Sequence, residues 1–400
     1  MVPPIARIGR QLGDTYLPQS IKDRLRHAVG SFLSEQTVSY YELIDRPEVD
    51  VWWFDRKRQF TFDGPIYYNH LPDEIDRIIG EHISPQPFVL EVPNVTLIGD
   101  QGMKLTPDGD YIVYNFQRQH SDGTEKIVGH DILDAISMGT WPFNRRQKKN
   151  KKIELAVPLI NRWARNYSHW TEECLAQIQG VRHYIQETGE RPTLLIPSDS
   201  PDFIGQSLET LGFQQDDYTE LDSERLHVDR MLLPSIRRVW SGTSSDYLRD
   251  PFGITWVQEA VLEKIEPDPN SPSKILISRQ NDAETRQITN WEAVESTLSD
   301  RGFTTVVLTE HDFVEQKQLF RNADTIVAAH GAGLTELIYA EEASVIELFG
   351  SYIVPPYFEM SEAVGHRYGC LVCEPRGGDI HVDIEELITA IDKTTGSSDG

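Results

Sequence analysis

Residues 326–349 read IVAAHGAGLTELIYAEEASVIELF. An apolar run stops at His330, and Gly331, Ala332 and Gly333 follow before a helix-like stretch. Such a sequence belongs between the carboxyl end of one strand and the amino end of the next helix, the edge at which open α/β sheets bind ligands. The first amides of a helix have no partner within it, and the helix dipole adds partial positive charge there. Glycines let a bulky anion come close, so a diphosphate is the natural guest and His330 a donor to it. A dinucleotide fingerprint would need G-x-G-x-x-G, and position 336 is Glu. A structural tight turn accounts for the glycines equally well.

Two arginines could serve the same anion. Arg279 stands just after the strand-like KILIS, and Arg286 follows seven residues later. Neighbouring parallel strands would bring both near 330–333, where forked guanidinium donors suit phosphate oxygens. Surface arginines on an arginine-rich chain are the alternative. His169, in NYSHWTEE, lies near the start of a helix. A histidine titrates near neutrality and suits general-base work, but one between Tyr167 and Trp170 is equally well read as a core residue. Asp108-x-Asp110 is the one D-x-D in the chain, the pattern that holds a divalent metal against a diphosphate. It sits at an Asp-Gly hairpin tip, so it is read as a turn and no metal site is expected. Cys370-x-x-Cys373 lacks a second pair, and with Cys174 these are read as core or loop thiols.

Composition narrows the classes. The chain has 400 residues, enough for two or more domains. It carries 63 acidic against 38 basic residues, a net charge of −25, and only 12 of the basic residues are lysines. An acidic surface poor in lysine suits a protein kept soluble in high salt, where self-repulsion is screened. This is a halophile signature, pointing to the cytoplasm of a salt-loving microbe, an archaeon. The same charge argues against nucleic acid as a partner. No apolar run reaches the roughly 18 residues of a membrane span, and no signal peptide is evident. Two segments run against the acidic average. The amphipathic helix at 21–33, within the basic stretch 1–35, packs on the protein or rests at the inner face of a membrane. RRQKKNKK at 145–152 is a solvated linker or a lipid-phosphate contact.

The elements that must hold these residues follow from periodicity. Residues 88–116 are strand-rich, with a hairpin between MKL and YIVY. Strands are expected at 153–160, 192–199 and 225–234, with a long helix at 166–189 ended by Gly189 and another at 201–212 opened by Pro201. The soft stretch 240–253 is the best boundary. Beyond it, strands at 274–278, 304–308, 325–329 and 344–348 alternate with helices at 290–302, 312–320, 333–340 and 383–392. Asp312 and Glu315 form a capping box. Alternation at this spacing means parallel, doubly wound sheets. The expected division is an N-terminal domain, 1–245, and a C-terminal domain, 246–400, facing each other across a cleft.

With Ser278-Arg279, Arg286, EHDFVEQKQLFRNADTIV (310–327), the His330–Thr335 loop, Asn166–Trp170 and VEVPNVTLIGDQG before them, the chain resembles glycosyltransferase family 61 over roughly 88–392. Those relatives include xylan xylosyl- and arabinosyltransferases and O-GlcNAc-type transferases, and this chain looks like a haloarchaeal member. It departs at Glu336, where the family has Asn, and at Trp291, where it has Glu.

The resemblance implies a GT-B-like α/β fold of two tandem Rossmann-like domains. It implies an inverting hexosyl- or pentosyltransferase that uses a nucleotide sugar, a UDP-sugar, without cofactor or metal, on a glycan or lipid-linked glycan of protein glycosylation or surface polysaccharide synthesis. The C-terminal domain would hold the donor through Arg279, Arg286, His330, Gly331, Ala332, Gly333, Leu334 and Thr335. Glu310 and Phe313 would touch the nucleoside. The N-terminal domain would hold the acceptor, with His169 as the base. The rivals are a nucleotide-sugar epimerase of similar fold, which needs acid–base carboxylates, and a non-catalytic nucleotide-sugar-binding protein.

Overall fold

The computed structural model describes residues 37–99, 102–113, 151–221, 225–240, 247–280 and 284–396. The basic helix expected within 1–35 and the run 145–150 lie outside them; Lys151 and Lys152 open the strand Lys151–Pro158, with Lys152 paired to Asp229 at 2.8 Å. The chain is α/β. Six strands make a fully parallel sheet in the order Thr304–Val306, Lys274–Ile277, Thr325–Ala329, Ser344–Phe349, Arg367–Val372, Ile66–Tyr67. Every residue of Thr325–Ala329 and Ser344–Phe349 is buried, as expected of central parallel strands covered on both faces. The strand Ile66–Tyr67 enters this sheet from the other side of the expected division at 245.

The other large sheet is mixed. Lys151–Pro158, Thr193–Ile196 and Tyr218–Glu220 run parallel, and Arg225–Pro234 joins them on one edge. Arg225–Pro234 pairs antiparallel with Phe88–Ile98, which continues into Met103–Leu105 and Tyr111–Val113. The strands expected at 153–160, 192–199 and 225–234 thus lie parallel, and the hairpin expected within 88–116 forms, but the two sets join in one mixed sheet. The short connections from Phe88–Ile98 to Met103–Leu105 and on to Tyr111–Val113 leave no room for a crossover helix, so these three pair as hairpins. The turn between the last two uses Gly109 at φ 98°, and Arg46 pairs with Asp110 at 3.0 Å and lies 4.0 Å from Asp108. Both carboxylates of the D-x-D are therefore engaged in holding the turn.

Two expected helices are wound differently. The stretch after Asn166 is an α-turn at Tyr167–His169, a π-turn at Trp170–Cys174, a 3-10 turn at Leu175–Gln177, then an α-helix Ile178–Thr188 ended by Gly189 at φ 74°. A π-turn of this kind carries an extra residue per turn and recurs at functional sites. Here it buries both Glu172 and Glu173. The segment after Gly331 is a 3-10 helix, Ala332–Tyr339, whose residues from Leu334 on are all buried. The capping box of Asp312 and Glu315 forms as expected, opening Phe313–Arg321. The helices Pro251–Leu262 and Pro356–Val364 escape sequence reading, because each is apolar over more than one face and shows no clean amphipathic period. They pack on each other as a roof, with Pro356–Val364 against the strand Arg367–Val372 and both against the 3-10 helix Ala332–Tyr339.

Beneath this roof one apolar core joins the halves, running from Phe62 and Trp170 to Ile326 and Phe358. A buried ion pair lies within it. Lys317 donates to Glu336 at 2.8 Å and to the Tyr167 hydroxyl at 2.7 Å, and neither charged side chain has any exposure. Cys174, Cys370 and Cys373 are free and buried. Among the described residues no helix is long and apolar enough to cross a membrane.

Candidate active site

A cavity of about 760 Å³ opens at the carboxyl ends of the strands of the six-stranded parallel sheet. Its wall takes Arg286, His330, Gly331, Ala332, Tyr352 and Tyr357 from that half of the chain, and Asn166, Ser168, His169 and Glu172 from the other. Five residues singled out in the sequence thus meet in one place. Leu334 and Thr335 face the core instead. Glu310 is exposed, and Phe313 is buried with its ring 3.6 Å from the Lys317 ammonium. Neither lines the cavity. The exposed aromatic on its wall is Tyr352, 57% accessible.

The glycines have packing reasons of their own. A β-carbon added at Gly331 would collide with the Arg279 guanidinium, which lies directly against that backbone. One added at Gly333 would stand 2.7 Å from Leu308 Cδ1. Arg279 therefore lies against the backbone of Gly331, donates to the Thr285 carbonyl at 3.4 Å, and stands off the cavity wall.

His330 is held rigidly. Its amide donates to Leu348 at 3.0 Å, and its Nδ1 meets Glu347 Oε1 at 2.5 Å. Tyr368 donates its hydroxyl to the other oxygen of Glu347; burial first, and then Glu347, push that hydroxyl well above its ordinary value, so it remains a donor. Phe349, Tyr352 and Tyr357 surround the ring, with centroids 5.2–5.5 Å away. Nε2 is the nitrogen not taken by Glu347.

Arg286 occupies the left-handed region at φ 63°, a costly conformation for a side chain of this size. Its amide donates to Gly378 at 2.8 Å, which pins it there, and its guanidinium lies 5.7 Å from the Tyr352 ring centroid. No carboxylate among the described residues pairs with it. On a chain with 63 acidic residues, an arginine on a cavity wall without a carboxylate partner is poised for an external anion.

The opposite wall is a charge network. Asn166 caps the turn, accepting from the Ser168 and His169 amides. His169 Nδ1 meets Glu173 Oε1 at 3.0 Å, and Asn161 donates to Glu173 Oε2 at 2.8 Å. Arg238 donates to Glu173 at 2.6 Å. Arg249 pairs with Glu172 and, at 3.3 Å, with Glu359. A carboxylate on one ring nitrogen fixes the orientation of an imidazole and leaves the other nitrogen for a substrate proton. Sequence reading passed over Glu173, although its spacing four residues after His169 is the signal that puts two side chains on one helical face. The donor atoms of His169, Glu172 and Glu173 all lie within 4.8 Å of one another, which is close enough for a metal. However, a divalent ion would have to displace Arg238 and Arg249 from those carboxylates, so this donor set suits ion pairs better.

Burial alone would raise the Glu173 carboxyl, but Arg238 and His169 outweigh it and hold it down at about 2, against an ordinary 4.5. The unfolded chain therefore takes up this proton near pH 4.5 and the folded chain only near 2. The stability contributed is present above pH 4.5 and is lost as pH falls towards 2, about 3 kcal/mol in all. Urea unfolding of Glu173→Gln should show a flatter decline over this pH window than the parent; parallel declines would contradict the pairing.

No curated protein matches this chain. The span 167–346, which contains His169, Arg279, Arg286 and the His330–Thr335 loop, matches the family model Glycosyltransferase 61.

Proposed function

We propose that this protein is an inverting glycosyltransferase with a GT-B-like division of labour between its halves, taking a UDP-sugar as donor and a glycan or lipid-linked glycan as acceptor, without a metal. The observation that carries the reading is the single cavity with an anion-ready wall, Arg286 and His330, facing a histidine–carboxylate dyad, His169 and Glu173. The acceptor hydroxyl gives its proton to His169 Nε2 while its oxygen bonds to the anomeric carbon. The bond from that carbon to the diphosphate breaks on the opposite face, which inverts the centre. Negative charge grows on the departing diphosphate. Arg286, His330 and the amides of Gly331 and Ala332 are placed to stabilise it, with Arg279 behind them. Tyr352 takes the nucleoside role first expected of Glu310 and Phe313, since a base can stack on an exposed ring. The acidic surface fits a cytoplasm of high salt.

Calorimetry with UDP in molar KCl tests the donor site. Arg286→Ala removes a charge-assisted bond of about 1.5–3 kcal/mol, so UDP affinity should fall by about 10–150-fold. Unchanged affinity would count against the site.

One observation favours a second reading. Glu172 and Glu359 both line the cavity, which supplies the carboxylates an epimerase requires, although Arg249 engages both. Incubation with UDP-sugars separates the cases. Slow release of UDP marks a transferase, a new epimer marks the rival, and binding without either marks a non-catalytic protein.

A further inference from the structure

We infer that Asp379 and Gln280 are positioning residues that clamp the backbone beside Arg286 and so aim its guanidinium at the donor diphosphate, an inference that rests on Arg286 binding UDP. Three of the described non-glycine residues in the left-handed region are Asp or Asn, which enter it most readily. Arg286, at φ 63°, has no such ease. A residue held there persists only where its surroundings over-determine it. For Arg286 the surroundings are a two-stranded hairpin, Glu374–Arg376 and Asp379–His381, which belongs to neither large sheet. Its two-residue turn opens on Gly377 at φ 67°, as such a turn requires. The chain from Arg286 to Thr289 lies along this hairpin. The Arg286 amide donates to Gly378 at 2.8 Å, the Ile380 amide to Gln287 at 2.9 Å, and the Thr289 amide to Ile380 at 2.8 Å. The side chain that joins these ties closest to Arg286 is Asp379, whose Oδ1 accepts from the Gln287 amide at 3.0 Å.

Gln280 holds the other edge of the same segment. Its side-chain oxygen accepts from the Ile288 amide at 3.0 Å, and its side-chain nitrogen donates to the Ile288 carbonyl at 3.1 Å. Gln287 and Thr289 thus turn their backbone groups to the hairpin and Ile288 turns its own to Gln280, the alternation of a strand between two neighbours. The Gln287 side chain closes the arrangement by donating to the Gln280 carbonyl at 3.1 Å. Thr285 and Gly378 line the cavity together with Arg286, so the clamp reaches the wall itself. A guanidinium aimed before the anion arrives loses less freedom on binding it, and that is the gain from preorganisation. Freed from the clamp, the backbone at Arg286 relaxes to negative φ and the side chain leaves its present direction.

UDP calorimetry in molar KCl on the parent, Asp379→Ala, Asp379→Asn, Gln280→Ala and Arg286→Ala tests this. Asp379→Ala removes the acceptor of the Gln287 amide and should weaken UDP binding by about 3–10-fold, the worth of one hydrogen bond. Gln280→Ala cuts the other tie, should weaken UDP by a similar factor, and decides the matter if Asp379→Ala fails to fold. Asp379→Asn keeps an oxygen for the Gln287 amide and should bind UDP as the parent does. Adding Asp379→Ala to Arg286→Ala should weaken UDP no further, since no guanidinium is left to aim. Parent affinity in either Asp379→Ala or Gln280→Ala, a loss in Asp379→Asn equal to that in the alanine variant, or additive losses in the double variant overturns the inference. Tighter binding by Asp379→Ala would show the carboxylate acting only as a charge that repels UDP, and overturns it as well. Arg286→Ala at parent affinity, or a parent that does not bind UDP, would instead sink the donor reading on which the inference rests.

Discussion

His169→Ala should leave UDP affinity unchanged and lower sugar transfer by about 10²–10⁴-fold, the usual range for loss of a general base. The two effects separate because the histidine stands on the wall opposite Arg286 and His330. The fold should survive the change. The imidazole is 32% exposed, and Glu173 keeps Arg238 and Asn161 as partners after it is gone. Circular dichroism, UDP calorimetry and a transfer assay on one preparation decide the matter. An unfolded variant would mean that the histidine is a core residue, the other reading of NYSHWTEE. A folded variant with full transfer would move the base elsewhere on the wall, to Glu172 or Glu359.

Lys317→Ala should cost about 3–5 kcal/mol of stability, the range for breaking one side of a buried ion pair. Its ammonium is enclosed by Glu336, the Tyr167 hydroxyl and the rings of Phe313, Tyr167 and Tyr339 at 3.6–5.0 Å. Burial pushes Lys317 down to about 8, with Glu336 pulling the other way. Truncation leaves Glu336 charged, buried and without its cation. Lys317→Met combined with Glu336→Gln should recover most of the loss, since the desolvation cost of both charges disappears with them. Urea midpoints for the single and double variants measure this; a single variant within about 1 kcal/mol of the parent would show the pair to be incidental. The pair also accounts for Glu336 where the resemblance has asparagine. That residue is committed to Lys317 in the core, so the departure does not reach the cavity wall.

The six-stranded parallel sheet was legible because its signals are local. Apolar runs of four to six residues, a capping box at Asp312 and an interrupted run at His330 each depend on neighbours in the chain. The turn at Asp108-Gly109 could be read in the same way. The joining of the parallel strands of the other half to an antiparallel set could not, because the pairing of Phe88–Ile98 with Arg225–Pro234 joins segments more than a hundred residues apart. The helices Pro251–Leu262 and Pro356–Val364 lacked a polar face to give them a period.

At the site, the sequence by itself determined which chemistry was on offer: a histidine and glycines at a strand–helix junction, two arginines after a strand, and a histidine on a second element. Only the tertiary structure decided which of them share a cavity and what holds each one. It turned Phe313 into the core, put Tyr352 on the wall, set Glu347 behind His330, and gave Glu173 its arginine from 65 residues away and Glu172 its arginine from 77. The physical reason is that apolar burial has no preferred partner in sequence, while ion pairs and ring contacts form only between groups that packing has already brought within a few ångströms.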